Sequence, residues 1–192
     1  MAIDYQTLKN WPIPDQLSRY TREDCIRYAL SLGYGEDPLD AEELPFVYEE
    51  GLRAVPSMVT VLGAPGAWAT DPGTGIAWMR ILHGEHRMAL HASLPPEGCL
   101  RSRTCVTAVV DKGQGRGALV VTTREVSDDA TGRLLATIEH TSFCRADGGF
   151  GNLVRRDRQV GRHGRGMDRT GHRAGDDGLV EVKHGRPPWT GG

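Results

Sequence analysis

The stretch RTCVTAVVDKGQGRGALVVTTREVSDDATGRLLATIEHTSFCR, residues 103–145, has the strongest β pattern in the chain. It divides into three runs, 103–113, 117–127 and 134–145, and turns that contain Gly or Asp separate them. The first two runs are rich in Val and Thr, whose branched side chains favour extended strands, and connections this short are typical of hairpins. The stretch therefore predicts three successive antiparallel strands.

The segment before this stretch extends the β pattern. IAWMRIL (76–82) and HRMALHA (86–92) predict strands on either side of a turn formed by residues 83–85. The Pro-Pro and Gly residues of LPPEG (94–98) predict a second turn, which leads into the strand that contains residue 103.

One clear helix signal lies near the N-terminus of the chain. Thr21 can accept hydrogen bonds from backbone N–H groups as an N-cap, and Glu23 and Asp24 suit the positive end of the helix dipole. Apolar residues follow at helical spacing, and Gly33 supplies a stop signal. We therefore expect a helix between Thr21 and Gly33.

Two further segments give weaker predictions. Residues 1–20 are expected to be irregular, because Pro12 and Pro14 prevent a continuous helix. PSMVTVLGAPG (56–66) is either a short buried helix or an extended segment, since periodicity does not separate the two at this length.

Helical segments followed by strands at hairpin spacing predict an α+β domain with a mostly antiparallel sheet over residues 1–151. Residues 152–192 differ in composition, because they are rich in Arg and Gly and nearly devoid of large apolar side chains. Such a segment buries too little surface to offset the entropy of ordering, so we expect a disordered tail.

Length, charge and cysteine usage limit the possible classes of protein. The chain has 192 residues, 39% of them hydrophobic, which is enough for one domain with a core. Its net charge of −2 gives no electrostatic case for binding nucleic acid. The balance is uneven, since residues 1–151 carry 14 Lys and Arg against 20 Asp and Glu, whereas residues 152–192 carry 9 against 5.

The cellular compartment is predicted from what the sequence lacks. The four cysteines show no C-x-x-C spacing, which favours free thiols in a reducing compartment. No apolar run approaches the roughly 20 residues needed to cross a bilayer, and the first residues do not resemble a signal peptide. We therefore expect a soluble cytoplasmic protein that does not associate with a membrane.

Several long motifs carry a resemblance to a known family. The motifs are YTREDCIRYALSLGYGEDP (20–38), ELPFVYEEGLRAVPSMVTVLG (43–63), ILHGEHRMALHASLPPEGCLRSR (81–103), VVDKGQG (109–115) and SFCRADGGFG (142–151). They resemble the N-terminal half of MaoC-like (R)-specific enoyl-CoA hydratases, above all the hydratase 2 part of peroxisomal multifunctional enzymes. The resemblance covers residues 20–151.

The resemblance implies a single hot-dog fold, in which a curled antiparallel sheet wraps around a helix. Members of this family carry two such folds in tandem. The first half helps to hold the acyl-CoA, and the second supplies the catalytic motif Asp-x-Asn-Pro-x-His. That motif is absent here, because the only asparagines are Asn10 and Asn152 and neither precedes a proline. We therefore expect no catalytic residue in this chain.

The resemblance also assigns a binding role to the Leu-His-Gly-Glu segment, which implies that His83 and Gly84 contact the acyl-CoA. The residues themselves support a second interpretation, a turn whose imidazole satisfies a buried backbone group. A glycine allows close approach of a ligand because it has no Cβ.

A metal site at these histidines is not expected. His-Gly-Glu-His lacks the H-E-x-x-H order of zinc proteases, and a glycine beside a β run argues against the helix that motif requires. On a regular strand, His86 shares a face with Met88, whereas His91 lies on the opposite face. His83, His86 and His91 are therefore not expected to meet at one ion.

Lys112 matches a family lysine that contacts CoA, so the resemblance implies that its charge meets a phosphate group. The alternative is a solvated lysine of a hairpin. Gly113 and Gly115 could let a phosphate approach, but no helix follows them, so this is not a phosphate-binding loop of the P-loop type.

Three hypotheses about function stay open. The chain is a subunit or half of an (R)-specific hydratase in fatty-acid or sterol side-chain β-oxidation, or an acyl-CoA-binding or dimerisation module without turnover, or a truncated inactive product. In the third case residues 152–192 would be an out-of-frame sequence. No cofactor is expected, since the CoA thioester is the substrate. A lone half would expose a sheet edge and apolar surface, so we expect a homodimer or a heterodimer with a catalytic hot-dog subunit.

Overall fold

The computed structural model of the chain describes residues 2–151. The predicted tail at 152–192 lies outside the described residues, so its disorder and the domain boundary at 151 stay predictions. Among residues 2–151, no helix has both the length and the apolar character needed to cross a membrane.

Five strands and three short α-helices make up the domain. The strands are β1 (Gln16–Tyr20), β2 (Ile81–Leu90), β3 (Gly98–Asp111), β4 (Ala118–Asp128) and β5 (Leu134–Cys144). The helices are α1 (Tyr5–Lys9), α2 (Arg22–Ser31) and α3 (Leu44–Val47). Single 3-10 turns occupy Pro56–Thr60, Trp68–Thr70, Pro72–Thr74 and Trp78–Arg80.

The strands form one antiparallel sheet in the order β1-β3-β4-β5-β2. The three strands predicted from residues 103–145 are its centre, as expected for the most strongly patterned part of the chain. The 112–117 turn joins β3 to β4, and residues 129–133 join β4 to β5. The predicted α+β class with a mostly antiparallel sheet is confirmed.

Helix α2 begins and ends as its sequence predicts. The Thr21 side chain accepts from the backbone N–H of Asp24, and the Asp24 carboxylate accepts in return from the backbone N–H of Thr21. This reciprocal pair satisfies two of the N–H groups that a helix start leaves open. Gly33, just beyond the C-cap, adopts a φ of 92°, which favours glycine.

Three local predictions are corrected or decided by the structure. Residues 1–20 are not irregular throughout, because Asp4 caps α1 and residues 16–20 pair with β3; the two prolines lie between these elements. Residues 78–80 form a 3-10 turn rather than a strand. The 56–66 segment begins with the 3-10 turn Pro56–Thr60, which packs Met58 and Val59 into the core.

The core lies on one face of the sheet, which we call the inner face. It carries two separate clusters of buried apolar side chains. The first lies under α2 and the 3-10 turn Pro56–Thr60 and includes Leu100, Val126 and Ile138. The second lies under α1 and includes Val106 and Val120. The opposite side is the outer face.

Candidate functional site

A diagonal band of polar side chains separates the two apolar clusters of the inner face. We call it the polar band. It runs from β3 to the edge strand β2, and the strand alternation and pairing place its members on the same side as the core. Its members are Ser102 and Thr104 on β3, Thr122 and Arg124 on β4, His140 and Ser142 on β5, and His83 and His86 on β2.

The predicted turn at residues 83–85 is wrong, because these residues lie within β2. Gly84 is the extra residue of a β-bulge, at which the pairing of β2 with β5 shifts between His83 and Glu85. A bulge changes the alternation of side chains on its strand by one residue. His83 and His86 are three residues apart and would lie on opposite faces of a regular strand, but the bulge brings both to the inner face.

The structure gives Gly84 a packing role within its own sheet. A Cβ atom at this position would lie 2.9 Å from the backbone oxygen of Thr141 on β5. The bulge therefore depends on a residue without a side chain. The predicted contact of Gly84 with acyl-CoA is a separate matter and stays a prediction.

Three histidines meet where the polar band reaches β2. The ring centroids of His83 and His140 are 4.8 Å apart, those of His86 and His140 are 5.9 Å apart, and those of His83 and His86 are 6.1 Å apart. His83 is exposed, whereas His86 and His140 are half-buried. His91 lies elsewhere on the outer face, where its Nε2 is 2.9 Å from the Thr137 hydroxyl.

Sequence reasoning missed His140, because its place in the site depends on how β5 pairs with β2. Alternation along β5 places it on the same face as Ile138, and it pairs directly with His86. Burial lowers the pKa of His140 below its usual value, and the nearby His83 and His86 lower it further. The described part of the chain holds no group of three His, Cys, Asp or Glu side chains arranged to bind a metal ion.

Arg124 is the second residue that sequence reasoning missed. Its side chain lies on the inner face with only 6% of the residue exposed. Its Nη2 donates to the backbone oxygens of Thr60, at 2.7 Å, and of Val59, at 3.4 Å. Within residues 2–151 no carboxylate forms an ion pair with it. Burial alone lowers the pKa of the guanidinium.

Lys112 lies at the same end of the sheet as His83 but on the other side. Its Nζ lies 4.8 Å from the ring centroid of Phe143. Phe143 follows Ser142 of the polar band, so alternation directs its ring to the outer face. The Lys112 side chain is exposed, which leaves its charge available to a ligand. The contact of Lys112 and His83 with acyl-CoA stays a prediction.

The carboxylate of Asp111 organises the turn that carries Lys112. It accepts hydrogen bonds from the backbone N–H groups of Gly113 at 2.7 Å, Gly149 at 2.8 Å and Gly151 at 2.9 Å. These hydrogen bonds lower the pKa of Asp111, because each of them stabilises the ionised form. The β3–β4 turn is thereby tied to the Gly-Gly-Phe-Gly segment at the end of the described domain.

An apolar groove of about 510 Å³ lies at the other end of β2. Its volume is within the usual range for small-molecule sites. The groove adjoins the first apolar cluster, through Leu52, Ala54 and Leu94. Its lining residues are Phe46, Leu52, Arg53, Ala54, Pro56, Leu90, His91, Ala92, Ser93, Leu94, Pro95 and Pro96.

Comparison with solved structures establishes the class of fold. A MaoC-like dehydratase from Phytophthora capsici superposes with a TM-score of 0.62 at 24% identity, over 77% of this chain and 52% of that one. The full-length peroxisomal multifunctional enzyme type 2 of Drosophila melanogaster superposes with a TM-score of 0.54 at 29% identity, over 72% of this chain and 24% of that one. The expected hot-dog fold is confirmed.

The family follows from the sequence comparison. Residues 18–146 match the model of the MFE-2 hydratase 2 N-terminal domain, and the chain belongs to this family. The enoyl-CoA hydratase ChsH3 of Mycobacterium tuberculosis is 30% identical over 156 residues, which are 79% of this chain and 53% of that protein. The chain thus spans about half the length of this relative.

Proposed function

We propose that this chain is the acyl-CoA-binding half or subunit of an (R)-specific 2-enoyl-CoA hydratase in fatty-acid or sterol side-chain β-oxidation. Membership of the hydratase 2 N-terminal family carries the proposal. The sequence contains no Asp-x-Asn-Pro-x-His motif. We therefore assign the groups that activate water to a second hot-dog domain.

The chemistry of the polar band supports binding rather than turnover. Hydration adds the hydroxyl of water to C3 of the enoyl group and a proton to C2, which requires a base and an acid close to the substrate. The band contains hydroxyls, imidazoles and one guanidinium, and none of its members is a carboxylate. These groups suit hydrogen bonding to a thioester and its acyl part.

The placement of His83 and Lys112 suggests a path for the ligand. Leu82, the residue before His83, pairs with Phe143, over whose ring the Lys112 ammonium lies. A thioester beside His83 on the inner face and a phosphate beside Lys112 on the outer face would require the CoA to cross the β2 edge at Leu82. We propose this course for the pantetheine arm, at the first residues of β2 and ahead of the part of the strand that would pair with a second domain.

We also propose that β2 pairs with a second hot-dog domain, in a homodimer or a heterodimer. β2 is ten residues long and, among residues 2–151, forms one edge of the sheet, a position at which a strand of another domain can add. The turn before it presents Trp78, 51% exposed, and Met79, 82% exposed, to solvent, and Leu82 on the strand itself is 48% exposed. Exposed apolar side chains beside an open edge are typical of an interaction surface.

Hydration of crotonyl-CoA by the purified full chain tests the proposal. We expect no turnover by the chain alone, and turnover when a separately purified hot-dog protein with the Asp-x-Asn-Pro-x-His motif is added. Isothermal titration calorimetry of the chain with crotonyl-CoA, run in parallel, measures the affinity for the thioester when no turnover occurs. Hydration by the chain alone contradicts the division of roles, and the absence of any acyl-CoA binding contradicts the proposed function.

A further inference from the structure

We propose that the polar band is an oxyanion-binding site in which Arg124 supplies the charge and His140, with His83 and His86 beside it, supplies further hydrogen bonds. The favoured source of the oxyanion is a carboxylate on the acyl group of the bound thioester. This deepens the proposed function and rests on it for the identity of the ligand, but the site itself is tested separately.

The burial of Arg124 is the first argument. A guanidinium removed from water loses several kcal/mol of hydration, and this loss is normally offset by a carboxylate or a dense set of acceptors. Arg124 is 6% exposed, and its partners within residues 2–151 are the two backbone oxygens of Val59 and Thr60. Both are bonded through Nη2 alone. The N–H groups on Nε and Nη1 therefore remain as donors for a ligand.

The surroundings of Arg124 are the second argument. Thr104 pairs with it across β3 and Ile138 across β5, so its cross-strand neighbours carry no charge. His140 lies one pair further along β5, opposite Thr122. The electrostatic influence of Arg124 reaches His140, where it contributes to the lowered pKa. An anion between the two groups would interact favourably with both.

The apolar clusters on either side make the band selective. A plain hydrocarbon chain gains its binding energy from apolar surface, and a polar band across its path contributes none. A carboxylate gains charge-assisted hydrogen bonds from a guanidinium, which are about twice as strong as neutral ones. The inner face is thus suited to an acyl group that carries a carboxylate between or beyond apolar carbons.

The phosphates of CoA are the other source of an oxyanion. Lys112, the cation that the family resemblance assigns to CoA, lies on the outer face. A phosphate at Lys112 therefore cannot be the group that meets Arg124, and only another phosphate of the same molecule could be. Free CoA distinguishes this source from an acyl carboxylate.

Isothermal titration of the full chain with adipoyl-CoA, hexanoyl-CoA and free CoA tests the inference, since the two acyl groups share six carbons and differ in the terminal carboxylate. We expect adipoyl-CoA to bind about tenfold tighter than hexanoyl-CoA, a ratio that corresponds to about 1.4 kcal/mol and is within reach of a hydrogen bond to a charged group. Arg124→Gln should reduce that ratio to less than about twofold. Arg103→Gln, which changes an exposed arginine of β3, is the matched control and should leave the ratio unchanged.

A measurement on the unmutated chain keeps the test independent of folding and of acyl-CoA binding. The imidazole ¹⁵N signals of His140, assigned with His140→Gln, are followed by NMR during titration with adipate and with inorganic phosphate. We expect saturable shifts at His140 and none at His91. Shifts without any acyl-CoA binding would support the oxyanion site and overturn only the proposed function.

The remaining outcomes decide the source of the anion and the inference itself. In one outcome, adipoyl-CoA and hexanoyl-CoA bind the unmutated chain with equal affinity, and Arg124→Gln weakens the binding of free CoA as much as that of the two thioesters. This result would support the site with a CoA phosphate as its ligand. Unchanged affinities for all three ligands in folded Arg124→Gln, or no saturable shift of His140 with either anion, would overturn the inference and leave Arg124 as a clamp on the Pro56–Thr60 turn.

Discussion

The arginines on the two faces of the sheet differ in their exposure and in their hydrogen-bonding partners. On the outer face Arg87 lies 2.7 Å from Glu85, and Arg101 lies 2.8 Å from Asp129, both with solvent around them. On the inner face Arg124 is buried, and its partners within the described residues are backbone oxygens. Exposed pairs contribute about 0–1 kcal/mol to stability, whereas a buried charge without a counter-ion is costly.

The outer arginines are solvated and paired with carboxylates, which is ordinary for a protein surface. A buried arginine without such a partner among the described residues needs a functional explanation. The outer arginines have carboxylate partners within reach and would lose little if those partners moved. Arg124 lies between two apolar clusters, where an alkyl side chain would have served packing better. A charge retained in such a place is typical of a binding site. Four experiments test this difference between the two faces.

Leu100→Ala should produce the largest effect on stability. Leu100 is 0% exposed in the first apolar cluster, so its truncation should lower the free energy of unfolding by about 2–5 kcal/mol. Leu17 on the neighbouring strand faces outward and is 57% exposed. Leu17→Ala should therefore change the free energy of unfolding by less than about 0.5 kcal/mol. Urea unfolding followed by circular dichroism measures both, and similar losses would show that the core is not confined to the inner face.

Gly84→Ala should have the next largest effect. The new Cβ would meet the Thr141 oxygen at 2.9 Å, and overpacking of this kind costs about 1–3 kcal/mol. Glu85→Ala, at the next position, should stay within about 0.5 kcal/mol of the unmutated chain, because it removes only an exposed ion pair. Thermal unfolding compares the two variants, and an unchanged Tm for Gly84→Ala would contradict the role of the glycine in the bulge.

Lys112→Gln should weaken the binding of free CoA by about two- to fivefold at low salt, which is the contribution expected of an exposed charge. The loss should shrink as ionic strength rises, because salt screens exposed charges. Arg116→Gln changes an exposed cation of the same turn and serves as the control. Equal losses for the two variants would indicate a general effect of charge rather than a contact made by Lys112.

The smallest effect concerns pH and His140. Its pKa is lowered in the folded chain, so between that value and the ordinary histidine value of 6.5 the unfolded chain binds more protons. Stability should therefore fall as pH decreases through this interval. His140→Gln should reduce the slope of unfolding free energy against pH between 5 and 7, and His91→Gln, on the outer face, should not. Equal slopes in the unmutated chain and His140→Gln would contradict the burial of this imidazole.

Local sequence patterns determined the centre of this protein. The Val- and Thr-rich runs specify β3 and β4, because branched side chains and short turns act over a few residues. Thr21, Asp24 and Gly33 specify α2 in the same local way. The long motifs at residues 20–151 were sufficient to indicate the family, and the family model confirms it over 18–146.

The set of side chains that forms the site depends on the pairing of strands that are distant in sequence. The register of β2 against β5 and the bulge at Gly84 bring His83 and His86 to one face, whereas a regular period of two separates them. His140 and Arg124 enter the polar band because their strands pair beside it, and nothing near them in sequence marks them as unusual. Strand identity depends on neighbouring residues, but the composition of a face depends on pairing between residues tens of positions apart.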